Sequence, residues 1–233
     1  RELSREYGAP LQIHLSETAT EVSEILKAHG KRPAHYLDQL GLLDSHLIAS
    51  HGVHLDETEL RCFHEKNASI VHVPESNMKL SSGIAPLEEI IAMGLRTGLG
   101  TDGCASNNNL DLFGEMDTAA KLAKVSTGKP DAAKAYQVLK MATLGGAAAL
   151  GLQKETGSLE KGKKADIIVV DLKSPHLCPQ FDPVSTLVYS ADGSDVKDVI
   201  VNGVPLMKER TLCSLDQDEI MAKIIEISKK IRL

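Results

Sequence analysis

From the start of the chain to about residue 150, short apolar runs alternate with stretches in which apolar residues recur every three or four positions. Pro10-Leu11-Gln12-Ile13-His14 reads as a strand, and 18–28 as a helix with Val22, Ile25 and Leu26 on one face. A second helix is predicted over 34–40, ending near Gly41. The same alternation then gives a strand over 47–51, a helix over 56–67, a strand over 68–73 and a helix over 86–92 closed by Gly94. Residues 96–101 form a fourth strand pattern weakened by glycines, followed by helical patterns over 110–124 and 132–150. Short buried strands separated by helices predict a parallel α/β arrangement. Four strand–helix units amount to half of an eightfold barrel or to a small open sheet.

After Gly151 the texture changes. Apolar runs over 165–171 and 196–201, then Asn202-Gly203 and Val204-Pro205-Leu206, predict a small β-rich module, because Asn-Gly between two apolar runs is a strong hairpin signal. Residues 216–232 read as a final amphipathic helix. The opening residues, Arg1 to Gly8, read as the end of an amphipathic helix closed by Gly8, so the chain is expected to begin inside a longer polypeptide.

Composition narrows the classes. The 233 residues are 42% hydrophobic and 25% charged, an ordinary balance for a folded domain. The net charge of -6, with no basic stripe, argues against nucleic acid as a partner. No apolar run approaches the roughly 20 residues of a membrane span. The opening residues are too polar for a secretory signal. Cys62, Cys104, Cys178 and Cys213 are scattered without a Cys-x-x-Cys pair, and read as free thiols in a reducing cytoplasm. With no Trp and 3% aromatics, neither an aromatic cage nor a base-stacking platform is expected.

Candidate chemistry gathers where apolar strand runs stop: His14 with Glu17, His51 with His54, and Asp102. A single His at such a place is as a rule a satisfied core residue. Three polar strand ends in succession match the way barrels draw catalytic residues from several strands. His, His and Asp are also ligand types for a catalytic zinc or similar divalent ion. Two amide-rich loops follow strands directly, Pro74 to Leu80 and Cys104 to Asn109. Their Asn residues suit hydrogen bonds to a polar ligand, and equally suit left-handed turns and helix caps. Ser106 or one of the neighbouring Asn residues is expected to cap the helix near Leu110.

Taken together, His14-Leu15-Ser16-Glu17-Thr18, Ser50-His51-Gly52-Val53-His54-Leu55, Pro74 to Leu80, Leu99-Gly100-Thr101-Asp102-Gly103 and Ser106-Asn107-Asn108-Asn109-Leu110-Asp111-Leu112-Phe113 resemble one family in order. That family is the methylthioadenosine/S-adenosylhomocysteine deaminases of the amidohydrolase superfamily. Gly145-Gly146-Ala147-Ala148-Ala149-Leu150 and Ala165-Asp166-Ile167-Ile168-Val169 extend the resemblance over essentially the whole chain. It implies the C-terminal half of a (β/α)8 TIM-type barrel over 1–153, part of a small β-sandwich over 154–212, and a C-terminal helix over 213–233. It implies one zinc ion per site, with iron or manganese as alternatives. His14 and Asp102 would bind the metal, and Asp102 would also act as general base. Glu17 would bond the purine ring and transfer protons, and His51 would contact the substituents of the attacked carbon. Asn107 and Asn108 would line the substrate site, while His54 and His72 would lie behind it.

The same resemblance expects a His-x-His pair from the first barrel strand, and no His-x-His occurs in these residues. The N-terminal half of the barrel is therefore expected as a partner segment, and the chain alone is expected to be inactive. The implied reaction is hydrolytic deamination of S-adenosylhomocysteine, 5'-methylthioadenosine or adenosine in the cytoplasm. Guanine deaminase or chlorotriazine hydrolase chemistry, and an inactive fragment with an assembly role, stay open, as does a homo-oligomer.

Overall fold

The computed structural model describes residues 2–231. After a short helix α1 (Glu2–Glu6), the first sheet is built by β1 (Leu11–Leu15), β2 (Leu47–His51), β3 (Ser69–His72) and β4 (Arg96–Leu99). Its order is β1-β2-β3-β4 and every pairing is parallel, with Leu15 beside His51 and His72 beside Leu99. Crossovers carry α2 (Ala19–His29) and α3 (Pro33–Gln39), then α4 (Glu57–Lys66), then α5 (Pro74–Lys79) and α6 (Leu87–Ala92). Among the described residues, β1 and β4 have one strand neighbour each.

Local sequence fixes the helix ends. Thr18 accepts the Glu21 N–H at the start of α2, and Gly30 ends it in the left-handed region. Asp56 and Glu59 form a capping box on α4, and Asn67 closes it with a φ of 53°. Glu59 is completely buried, but Arg32 Nε bonds it at 2.8 Å and the Ala34 N–H at 3.0 Å. The same Arg32 reaches the His54 carbonyl, which fastens the turn after β2. Leu47, Phe63, Ile70 and Ile90 form the centre of the core under this sheet.

The expected loop from Pro74 is instead the short helix α5, started by Pro74 itself. The helix expected from residue 110 is α7 (Leu112–Thr127), and Asp111, not Ser106 or an Asn, caps it by accepting the Phe113 N–H. Leu110 has a φ of 53° and so stands outside the helix. The predicted helix over 132–150 divides into α8 (Ala135–Lys140), a π-helical turn Met141–Gly145, and α9 (Gly146–Ala149). Close packing against β4 marks the division. A Cβ on Gly145 would stand 2.5 Å from the Thr97 carbonyl oxygen, and one on Gly98 would stand 3.0 Å from the Gly146 Cα. Gly98, one of the glycines that weaken β4 as a strand pattern, is thus where a helix backbone lies directly against the strand.

The second sheet is antiparallel, ordered β5 (Ile167–Val170), β6 (Val196–Val201), β7 (Val204–Lys208) and β8 (Thr211–Leu212). Asn202 and Gly203 both take positive φ, 50° and 78°, at the predicted hairpin. Between β5 and β6 lies α10 (Pro183–Tyr189), which the sequence reading did not anticipate. Val188 on α10 and Val196 on β6 share a buried cluster with Met116, Ala120 and Val138, so this sheet is joined to α7 and α8 by a common core. No second antiparallel sheet faces it among the described residues. The last helix is α11 (Gln217–Ser228), none of whose residues is buried. Arg1 and Arg232, at the ends of two predicted helices, lie outside the described residues.

The helix contact at β4 gives a direct test. Gly145→Ala should destabilise the protein by about 1–3 kcal/mol, since its Cβ meets backbone that has no room to yield. Chemical denaturation checks it, and an unchanged midpoint would mean the contact is looser than described.

Candidate metal centre

The polar strand ends meet at one rim of the parallel sheet. His14 stands near the end of β1, His51 is the last residue of β2, and Asp102 follows β4. Ligand atoms of His14, His51 and Asp102 all lie within 4.8 Å of one another. His14 Nε2 is 3.9 Å from Asp102 Oδ1, and the two imidazoles meet edge to face at 4.9 Å. Three non-glycine residues at these ends hold positive φ: Ser16 at 51°, His51 at 74° and Asp102 at 60°. Such conformations cost on the order of 1–3 kcal/mol each, and persist where surrounding contacts impose them.

Those contacts are visible. Glu21 accepts the backbone N–H groups of Ser16 at 2.7 Å and Glu17 at 2.8 Å, clamping the turn after β1. On α5, Asn77 Oδ1 accepts from His51 Nδ1 at 2.8 Å. A carbonyl oxygen only accepts, so the ring proton resides on Nδ1 and Nε2 presents a lone pair. That Nε2 is buried and has no hydrogen-bond partner in the protein. Ser76, next on the same helix, donates to Asp102 Oδ2 at 2.9 Å, and Ser106 donates to the same oxygen at 2.6 Å. Oδ1 is left toward His14. Burial works to raise the Asp102 pKa, but the hydrogen bonds from Ser106, Ser76 and the Gly103 backbone outweigh it and hold it below its ordinary value.

Glu17 lies at the edge of this group. Its Oε2 is 3.8 Å from His51 Nε2, and its Oε1 accepts from Ser82 Oγ at 3.2 Å. His54 Nε2 donates to the Ser82 carbonyl at 2.8 Å, so His54 reaches Glu17 through Ser82. His72 is fully buried on β3, and burial lowers its pKa to about 4.

Both Asn residues of the expected substrate-lining pair take part in hydrogen bonds within the chain. Asn107 is buried, with its Nδ2 donating to Glu115 at 2.6 Å and to Glu75 at 3.1 Å, and its Oδ1 accepting the Leu110 N–H at 2.6 Å. Its amide is spent inside the protein. Asn108 is exposed and bonds Lys79 Nζ and the Cys104 carbonyl. Sequence reasoning passed over Glu21, Ser76, Asn77, Ser82 and Glu115 as individual residues. For Ser76 and Asn77 a signal existed, their place in an amide-rich run directly after a strand.

A divalent cation fits the donor set: an unpartnered, buried imidazole lone pair, a second imidazole and an ionised carboxylate converge. A second grouping, His176, Asp192 and Asp195, has its buried carboxylate already satisfied by Ser174, His176 and the Asp192 N–H.

Residues 1–206 match the model of the Amidohydrolase family. The chain belongs to that family. A 5-methylthioadenosine/S-adenosylhomocysteine deaminase of Syntrophobacter fumaroxidans is 48% identical over 231 residues, covering 99% of this chain and 53% of the relative. A 5'-deoxyadenosine deaminase of Methanosarcina mazei is 48% identical over 99% of this amidohydrolase chain and 52% of its own length. Among solved structures, an adenosine deaminase from Xanthomonas campestris with bound zinc superposes with a TM-score of 0.96 at 40% identity, covering 99% of this chain and 52% of that one. An atrazine chlorohydrolase from Arthrobacter aurescens complexed with zinc gives 0.90 at 26% identity, over 97% and 50%. The chain spans about half the length of the curated relatives it matches.

Buried neutral His72 carries a pH prediction. Its folded pKa, about 4, lies below the ordinary 6.5, so the unfolded chain binds more protons between those values and stability falls as pH drops through that window. His72→Asn should flatten the stability profile there, as urea titrations at several pH values would reveal. An unchanged slope would place the acid sensitivity elsewhere.

Proposed function

We propose that the full-length protein is a zinc-dependent aminohydrolase that removes ammonia from the adenine ring of an adenosine derivative. S-adenosylhomocysteine, 5'-methylthioadenosine and adenosine are the substrates of first choice. The observation that carries this reading is the convergence of His14, His51 and Asp102 at one sheet rim, with Glu17 beside them. The names and identities of the deaminase relatives support the ring chemistry, and the zinc in the Xanthomonas structure supports the metal.

In this reading residues 1–153 are the second half of the barrel, 154–212 a segment of a β-sandwich, and 213–233 a C-terminal helix. The open neighbours of β1 and β4 are then strands of a further segment, which also brings the His-x-His pair. His14 and Asp102 hold the zinc with that pair. When bound, zinc acts as a Lewis acid and makes water a nucleophile near neutral pH.

The chain's own residues divide the proton work. Asp102 takes a proton from the attacking water as its oxygen bonds C6 of the ring. Glu17, protonated, gives its proton to the ring nitrogen beside that carbon. The His51 ring, held by Asn77, donates nothing through Nε2 in its present tautomer and instead accepts from the new hydroxyl. Asp102 passes its proton to the departing amine as the C6–N bond breaks. The hydroxyl proton returns to Glu17, leaving the hypoxanthine analogue and ammonia. The hydrogen bonds from Ser76 and Ser106 to Oδ2 fix the orientation of the Asp102 carboxylate for this exchange. Among the described residues no helix is long and apolar enough to cross a membrane.

An ultraviolet assay of the full-length protein with the three substrates tests the reading. It predicts an adenine-to-hypoxanthine spectral change that a chelator abolishes. Asp102→Ala should lower turnover by about 100-fold or more and weaken zinc binding, whereas Glu17→Gln should lower turnover comparably while keeping the metal. No spectral change with fully zinc-loaded protein would transfer the reading to guanine or chlorotriazine substrates. Normal turnover in both variants would overturn the residue roles.

A further inference from the structure

We propose that Glu115 is a positioning residue for the strand-end cluster, acting through α5 on His51 and Asp102 together. The inference rests on the reading of that cluster as a zinc site. Helix α5 lacks a cap of its own. Val73, at the N-cap, offers no side-chain acceptor, and Pro74 has no N–H to give. The first N–H of the helix that requires a partner is that of Glu75. Glu115 Oε2, on α7 and 40 positions away, accepts it at 3.1 Å. A carboxyl oxygen from another helix thus supplies the missing cap.

The other oxygen of Glu115 is equally committed. Its Oε1 accepts from Asn107 Nδ2 at 2.6 Å, and the same Nδ2 lies 3.1 Å from Glu75 Oε2. Glu115 is 0% exposed, so no water competes for either oxygen. Asn107 belongs to the loop that leaves Asp102, and its Oδ1 holds the Leu110 N–H just before α7. Glu115 therefore joins α7, the loop after β4 and the first turn of α5 at one point. The neighbouring Gly114 is part of the fit, since a Cβ there would stand 2.9 Å from Glu75 Oε1.

The consequence lies in the next two residues of α5. Ser76 holds Asp102 Oδ2 and Asn77 holds His51 Nδ1, and both are buried. Because they are consecutive on one short helix, a displacement of its first turn moves both hydrogen bonds at once. Burying a carboxylate there is costly: burial, with the Glu75 charge beside it, pushes the Glu115 pKa up to about 8. A purely packing role would be filled at lower cost by an apolar side chain. Two oxygens set against two different donors are what an apolar side chain lacks. Glutamine keeps the volume but replaces one oxygen with an amide nitrogen, which cannot accept from either donor.

The test is a double-mutant cycle in the full-length protein, read on the zinc dissociation constant by chelator competition, on turnover, and on thermal melting. Glu115→Gln should weaken zinc binding by about 10-fold or more while the protein stays folded. In a Ser76→Ala/Asn77→Ala background the same substitution should add less than about 2-fold, because its route to the site is already cut. A lowered melting temperature with zinc affinity and turnover unchanged would overturn the proposal. So would an undiminished loss in the Ser76→Ala/Asn77→Ala background. If Glu115→Gln does not fold, Asn107→Ser loosens the same carboxylate, and the cycle is read on that variant with the same criteria. A protein that binds zinc with the predicted coupling but deaminates no adenosine derivative would sink the substrate reading alone. A protein that deaminates them but ignores Glu115→Gln would sink the positioning role alone. One that binds no zinc would sink both.

Discussion

The parallel register of β1 to β4 is the constraint from which the site follows. Leu15 pairs with His51, His72 pairs with Leu99, and every carboxyl end therefore leaves the sheet at the same rim. Parallel strands need crossovers, and the crossovers here are helices that cover the core around Phe63, Ile70 and Ile90. Side chains just past the strand ends have no apolar layer to join. His14, His51 and Asp102 come within ligand distance for that reason, although 88 positions separate the first from the last.

Bringing polar groups to one rim is unfavourable unless each is held. The hydrogen bonds that hold them come from residues with no direct part in the chemistry: Glu21 under the β1 turn, Asn77 behind His51, and Ser76 and Ser106 behind Asp102. They account for three left-handed non-glycine residues in places where the chain would otherwise relax. They also select one lone pair on His51 and one oxygen on Asp102 for use at the rim. Metal sites depend on such outer contacts nearly as much as on the ligands themselves.

Much of this was legible in the sequence, and the failures have physical causes. The four parallel strands, the capped helices α2 and α4, and the Asn202-Gly203 hairpin are local features, fixed by periodicity, caps and turn residues within a few positions. The split of the helix over 132–150 was not legible, because it falls where the distant backbone of β4 lies against Gly145. The internal partners of Asn107 were not legible either. Nothing in its neighbourhood announces that two carboxylates, from Glu75 and Glu115, will meet its side chain in the folded chain. Long-range polar partners of this kind carry no periodic signal. Helix α10 was missed for a different reason, as a short helix whose apolar face is read only against the core it shares with α7 and α8.

The most direct measurement is a crystal structure of the full-length protein with diffraction recorded at the zinc absorption edge. The account predicts a single strong anomalous peak about 2.0–2.2 Å from His14 Nε2 and from Asp102 Oδ1. A peak beside His176 and Asp195 instead, or none at the rim in zinc-loaded protein, would contradict it.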